Sequence, residues 1–181
     1  MRKTVLAATA LAVSSLALTP LSPVLAHGKN NNVSKIGEKG DPAKASRTVH
    51  INMTDNRFQL GDISVEANET VRFVVKNAGE FVHEFNIGNA KMHSAHQKEM
   101  LVMMEMGVLE ADRINHDMMG HGSKNSMKHD DPNSVLLEPG KTGEVVWTFP
   151  VAGQLQMACN VPGHYEDGMV GNLVIKSENS S

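Results

Sequence analysis

The chain has one cysteine, Cys159, in 181 residues. No intramolecular disulfide can form, and the lone thiol needs another explanation. Positive charge is not in excess, since 17 Lys and Arg stand against 20 Asp and Glu. That balance sets nucleic acid aside as a partner, because phosphate backbones call for a clustered basic face. A membrane-spanning helix needs an apolar run of about 20 residues, and none is present. The longest, Val5 to Leu18, is short and is broken by Thr9, Ser14 and Ser15.

What is present begins with an export pattern. Arg2 and Lys3 precede that apolar run, and Val24-Leu25-Ala26 ends it with a small residue, as in a secretory signal peptide over residues 1–26. Cutting after Ala26 leaves 155 residues and lowers the basic count to 15 against 20 acidic, a net charge of −5. The expected compartment is the periplasm, and no cysteine follows the leader to take a lipid anchor. A free thiol is a liability in an oxidising compartment, and ligation to a metal would protect it. His27 would become the new N-terminus, where its amine and imidazole together can chelate an ion. Residues 27–46 are rich in Asn, Gly, Lys and Ser and are expected to form a flexible segment.

From Arg47 the pattern has period two. Val49, Ile51 and Met53 alternate with His50 and Asn52, and Val71, Phe73 and Val75 alternate with Arg72, Val74 and Lys76. Ile63 and Val65 follow a turn at Leu60-Gly61-Asp62. Short alternating strands bounded by Gly, Asn and Asp argue an all-β sandwich with one face buried. His50 opposes the apolar face and is expected at the surface. His83 shares the inward phase of Phe85 and Ile87, which aims it toward one end of the sandwich. Val135–Leu137, Val145, Trp147, Phe149, Leu155 and Met157 resume the pattern, with Trp147 and Met157 read as core. Val170, Leu173 and Ile175 form the last strand, giving about eight strands in all.

One stretch carries chemistry. Cys159-Asn-Val-Pro-Gly-His164-Tyr-Glu-Asp-Gly-Met169 sets a thiol, an imidazole and a thioether at successive five-residue steps. Pro162, Gly163 and Gly168 let the loop fold back so that the three side chains converge. One more imidazole completes two His, one Cys and a weak axial Met, the ligand field of a type 1 (blue) copper site. His83 is the best placed candidate.

Through these residues the chain resembles the cupredoxins, the plastocyanin and azurin family. It looks most like the exported cupredoxins of bacterial copper-tolerance systems. The resemblance covers about residues 47–177. It implies a Greek-key β-sandwich, copper (Cu2+/Cu+) as cofactor, His83, Cys159, His164 and Met169 as the metal ligands, and the His164 edge as the electron route. Glu84 departs from the pattern, since azurin-like relatives often carry Asn after the upstream His.

Residues 89–133 form an insert that small members of the family lack at this length. It holds eight of the twelve methionines and five of the nine histidines. A connection this long inside a compact domain is usually functional or disordered. Lys91 to Asp112 reads as helix, with Met92, His96, Met100, Met103 and Met104 at steps of three or four and Gly107 interrupting the run. Such a stripe suits core packing or docking, while thioether and imidazole together also suit Cu(I) and Cu(II). The second half, Asn115 onward, is too polar and Gly-rich to pack. The insert as a whole is therefore expected to capture copper weakly. Its candidate accessory donors are Met92, His93, His96, Met100, Met103, Met104, His116, Met118, Met119 and His121, with His27 outside it.

The expected function is a non-enzymatic periplasmic copper-binding protein of copper tolerance, holding one ion tightly and gathering more through the insert. The alternative is a soluble electron-transfer shuttle, with the insert as a docking loop. Besides copper ions, the partner in either case is a periplasmic redox or copper-handling protein. A multicopper oxidase is set aside because no His-X-His pair exists to build a trinuclear cluster. A thiol hydrolase is set aside because no orienting Asn or Asp stands in a recognisable context.

Overall fold

The computed structural model describes residues 36–120 and 131–176. The leader over 1–26, His27 and His121 lie outside the described residues, as does the remainder of 28–35 and 121–130.

The alternation in the sequence becomes two five-stranded sheets packed face to face. The first runs in the order β1 (Glu38–Lys39), β8 (Thr142–Thr148), β5 (Thr70–Asn77), β2 (Arg47–Thr54) and β3 (Arg57–Phe58). β2 and β5 are parallel, with Val49 beside Phe73 and Ile51 beside Val75, so their apolar residues share one face. Ile51, Met53, Val71, Phe73, Val75, Val145 and Trp147 are buried, and His50, Asn52 and Lys76 are exposed. The second sheet runs β4 (Ile63–Glu66), β10 (Val170–Lys176), β9 (Gln154–Ala158), β6 (His83–Gly88) and β7 (Ser134–Leu137). Phe73 of the first sheet meets Phe85 of the second at 5.3 Å between ring centroids, and Phe149 at 6.1 Å. Burying such a ring stabilises the fold by about 1.5–3 kcal/mol. The architecture is the expected all-β sandwich, with few helices.

Residues 36–46 are not part of a flexible segment. Ile36 is fully buried, and its carbonyl accepts the indole N–H of Trp147 at 2.8 Å. Glu38 and Lys39 pair with Thr148 and Trp147, and the Asp41 side chain caps a 3-10 turn over Pro42–Lys44. A buried indole N–H needs an acceptor. One apolar residue in a polar stretch supplies both the acceptor and the packing that fixes it.

The insert begins with α1 (Ala90–Glu105), capped by the Asn89 side chain accepting from the Met92 N–H at 3.0 Å. It ends earlier than Asp112. Gly107 is left-handed at φ +73, its N–H donates to the Met104 carbonyl, and the Val108 N–H donates to the Met103 carbonyl. This is a Schellman stop, and buried Met103 and Val108 supply its apolar contact. A short α2 follows at His116–Gly120. α1 packs on β6 and β9, so the outer face of β6 never meets water and all six of its residues are buried.

Candidate metal centre

β6 and the loop after β9 deliver the donors to one end of the sandwich. His83 opens β6, Cys159 follows β9, and the loop returns to β10 through Met169. The loop is closed at its base by backbone pairs: Cys159 N–H to Met169 O at 3.1 Å, and Met169 N–H to His164 O at 2.9 Å. Gly163 at φ +90 and Gly168 at φ +93 make the reversals that β-carbons would strain. Pro162 lies between Val161 and Gly163, where the His164 N–H donates back to the Val161 carbonyl at 3.0 Å.

The ligating atoms of His83, Cys159 and His164 all lie within 4.8 Å of one another. The two Nδ1 atoms face each other at 3.2 Å, and Cys159 Sγ is 3.4 Å from His164 Nδ1. Two neutral ring lone pairs pointed at each other and at a sulfur repel unless a proton or cation sits among them, so the arrangement fits a bound ion. Met169 is fully buried, and its backbone is bonded to both loop ligands.

The surroundings favour a metal over free titration. Burial holds His83 below its usual range, opposed by the Asp55 carboxylate. Burial also lowers His164, and His83 beside it lowers it further. Both rings are therefore neutral and offer lone pairs at neutral pH. Burial pushes the Cys159 thiol up to about 12, so thiolate forms there only when a cation replaces the proton.

Around these donors, Asp55, Asn56 and Asn160 were not singled out by the sequence, and Glu84 stood out only as a departure from the family pattern. Asp55, in the turn between β2 and β3, accepts from the Glu80 N–H at 2.9 Å and lies 3.2 Å from His83 Nε2. With its proton on Nε2, His83 turns its Nδ1 lone pair to the cluster. Asn56, left-handed at φ 57, donates from Nδ2 to Asp167 Oδ2 on the ligand loop at 2.8 Å. Glu84, fully buried, sends its N–H to Cys159 Sγ at 3.3 Å. Its Oε2 accepts from Asn160 Nδ2 at 2.7 Å. The only sequence trace of this network is an acid beside His83 in a strand whose other residues suit burial.

Among the described residues, the accessory histidines join no group of His, Cys or acidic side chains at metal-ligand spacing. Met100 and Met103 are core residues, and His93 is buried at 1% exposure. The His93 ring lies beside Asn160 and the Gln156 backbone without forming a well-aligned hydrogen bond to either. His96 is set between two carboxylates, with Nε2 3.0 Å from Glu84 and Nδ1 2.8 Å from Glu99. Burial disfavours its charge, but those bonds and charges prevail and raise its pKa to about 9. As an imidazolium it has no lone pair for a metal. Met92 and Met104 are half-buried, and His116 and Met118 are exposed. The Met119 side chain lies outside the described residues, with His27 and His121. Among the described residues, His83, Cys159 and His164 form the one group of His, Cys or acidic side chains at metal-ligand spacing.

A Greek-key sandwich that holds a buried thiol and two facing imidazoles at one end defines a mononuclear copper centre of cupredoxin type. The chain belongs to the family described as copper binding proteins, plastocyanin/azurin family, whose model matches residues 45–176. Its cofactor is copper. It is 48% identical over 159 residues to a copper-resistant cuproprotein, CopI, of Pseudomonas aeruginosa, covering 83% of this chain and 85% of that one. It is 40% identical over 141 residues to CopI of Rubrivivax gelatinosus, covering 77% and 73%. Among solved structures, auracyanin B aligns with a TM-score of 0.54 at 20% identity, over 79% of this chain and 96% of that one. Auracyanin of Roseiflexus castenholzii aligns at 0.51 and 20%, over 73% and 98%. These two likenesses concern the fold.

Proposed function

We propose that this chain is a copper-tolerance cupredoxin of the periplasm that holds one copper ion through His83, Cys159, His164 and Met169. The observation that carries the site is the convergence of His83 Nδ1, His164 Nδ1 and Cys159 Sγ. The copper-resistance role is supported by the 48% and 40% identical relatives of that name. Bound copper would cycle between Cu(II) and Cu(I) in a ligand field that suits both. The protein holds both rings neutral, keeps the thiol from oxidants by full burial, and fixes the loop with backbone bonds. Little has to move when the charge changes.

Accessory capture by the insert falls to its accessible donors, Met92, Met104, His116 and Met118, and to Met119 and His121, with His27 as a further donor outside it. Deleting residues 89–133 would test it poorly, because Met100, Met103 and His93 belong to the packed interior. Replacing His116 and Met118 with Ala leaves the core intact. The expected result is a copper-to-protein ratio that falls toward one while the tight site is unchanged. An unchanged ratio would remove His116 and Met118 from copper capture. Export is supported by the leader pattern, and the mass of the protein recovered from the periplasm should correspond to a start at His27.

The experiment for the main reading is a visible spectrum of the purified protein with Cu(II). An intense sulfur-to-copper band that is lost in Cys159→Ser supports the site, and a wild-type protein without the band refutes it. The electron-shuttle reading is favoured by half-buried His164 and by the groove of Ser94, Leu101, Pro162 and Gly163 beside it. Rapid reduction of a redox partner, with copper tolerance unaffected by loss of the protein, would choose it.

A further inference from the structure

Among the described side chains of the insert, His96 reaches a direct neighbour of the metal ligands. His96, on α1, points Nε2 at Glu84 Oε1 across 3.0 Å, and Ser134 Oγ donates to the same oxygen at 2.6 Å. The other carboxylate oxygen accepts the Asn160 backbone N–H at 3.3 Å and the Asn160 side-chain amide at 2.7 Å. Glu84 follows His83 in the chain, Asn160 follows Cys159, and the Glu84 N–H ends on Cys159 Sγ at 3.3 Å. A fully buried carboxylate is costly unless opposite charge and hydrogen bonds surround it. Here an opposite charge comes from the insert, and His96 is itself held from its far side by Glu99 at 2.8 Å.

We propose that His96 is a positioning residue of the metal centre, acting through Glu84 to hold the N–H that bonds the Cys159 sulfur. This rests on the reading of His83, Cys159 and His164 as the copper site. Hydrogen bonds to a ligating sulfur, and the residues that orient them, tune its bond to the metal. The insert is then a structural part of the copper centre, whether or not its methionines gather copper. Without the His96 imidazolium, Glu84 keeps Ser134, Asn86 and Asn160 but loses a charge-assisted bond, and its backbone is less firmly placed against the sulfur.

The test uses the full mature chain in four forms: wild type, His96→Leu, His96→Asn and His96→Gln. Asn is polar but too short to reach Glu84, whereas Gln can restore one donor. In the metal-free protein, amide hydrogen exchange at Glu84 should quicken at least tenfold in the Leu and Asn variants relative to other β6 amides, and return toward wild type in Gln. With Cu(II), the sulfur-to-copper band should shift in Leu and Asn while copper loading stays at the wild-type level, and Gln should restore its position. If the Leu variant does not fold, the Asn variant decides. Wild-type exchange and an unmoved band in the Asn variant would overturn the proposal, as would a Gln variant indistinguishable from Asn. A wild-type protein lacking the band would sink the copper-site reading instead, and exchange in the metal-free forms would still report on the His96 contact.

Discussion

Asp55 shows how much of a metal centre is decided one bond away from the ligands. Its carboxylate stands against His83 Nε2 at 3.2 Å, so the ring has a fixed tautomer and a fixed tilt before an ion arrives. Its own pKa is lowered: partial burial works against the charge, but the His83 bond and the Glu80 and Phe81 amides outweigh it. Removing the carboxylate in Asp55→Ala should weaken copper binding by about 10- to 100-fold while leaving the sulfur-to-copper band visible. A competition titration against a chelator of known affinity measures this. Cys159 gives a second prediction. Its thiol is pushed up to about 12 and the two imidazoles are lowered, so near neutrality only the thiol must lose a proton to bind. Copper affinity should therefore rise about tenfold per unit between roughly pH 7 and 9, with about one proton released per ion. Cys159→Ser should flatten that slope in the same titration.

At the level of elements, the insert helix turns out to be half structure and half surface. Its Met stripe suggested both packing and copper, and the helix resolves the choice side chain by side chain. Met100 and Met103 face β6 and β9, while Met104 is partly open. Met100→Ala should destabilise the metal-free protein by about 2–5 kcal/mol, whereas exposed Met118→Ala should cost no more than about 0.5 kcal/mol. Urea unfolding of the two variants separates them. His96 adds a pH signature to the same element. Its pKa is raised to about 9 from an ordinary value of 6.5. Its contribution to stability is thus complete below about 6.5 and is lost as pH rises through about 9. The metal-free wild type should lose stability across that window, and His96→Leu should lose less. The helix was legible from its period, although the expected span to Asp112 ran past the stop at Gly107. Which of its side chains are buried was not, because periodicity gives a face and not what covers it. The same limit hid Glu84: β6 reads as an alternating strand, and only the docking of α1 buries its second face.

Across the whole molecule, the sheet pattern and the spacing of Cys159, His164 and Met169 were readable because each rests on short-range regularities. The approach of His83 to that loop depends on the strand order β9-β6, which no local signal reports. The segment before Arg47 departs from what its composition suggests for the complementary reason. Its composition is polar, yet Ile36 fills a place under Trp147 and accepts its indole proton. A chain starting at Gly40 should keep the sandwich but lose about 2–4 kcal/mol of stability relative to one starting at His27. Trp147 fluorescence should respond as well, and thermal unfolding followed by that signal measures both.

The two-residue tip joining β2 to β3 touches the coordination set from both sides. Asp55 meets the ligand that arrives first along the chain, and Asn56 is fastened to Asp167 in the loop that brings the others. Emptying the cradle therefore need not loosen it. At the proposed site an ion would come and go as through a held-open clasp, and its release would require competition for its donors, with no need to unravel the chain around it.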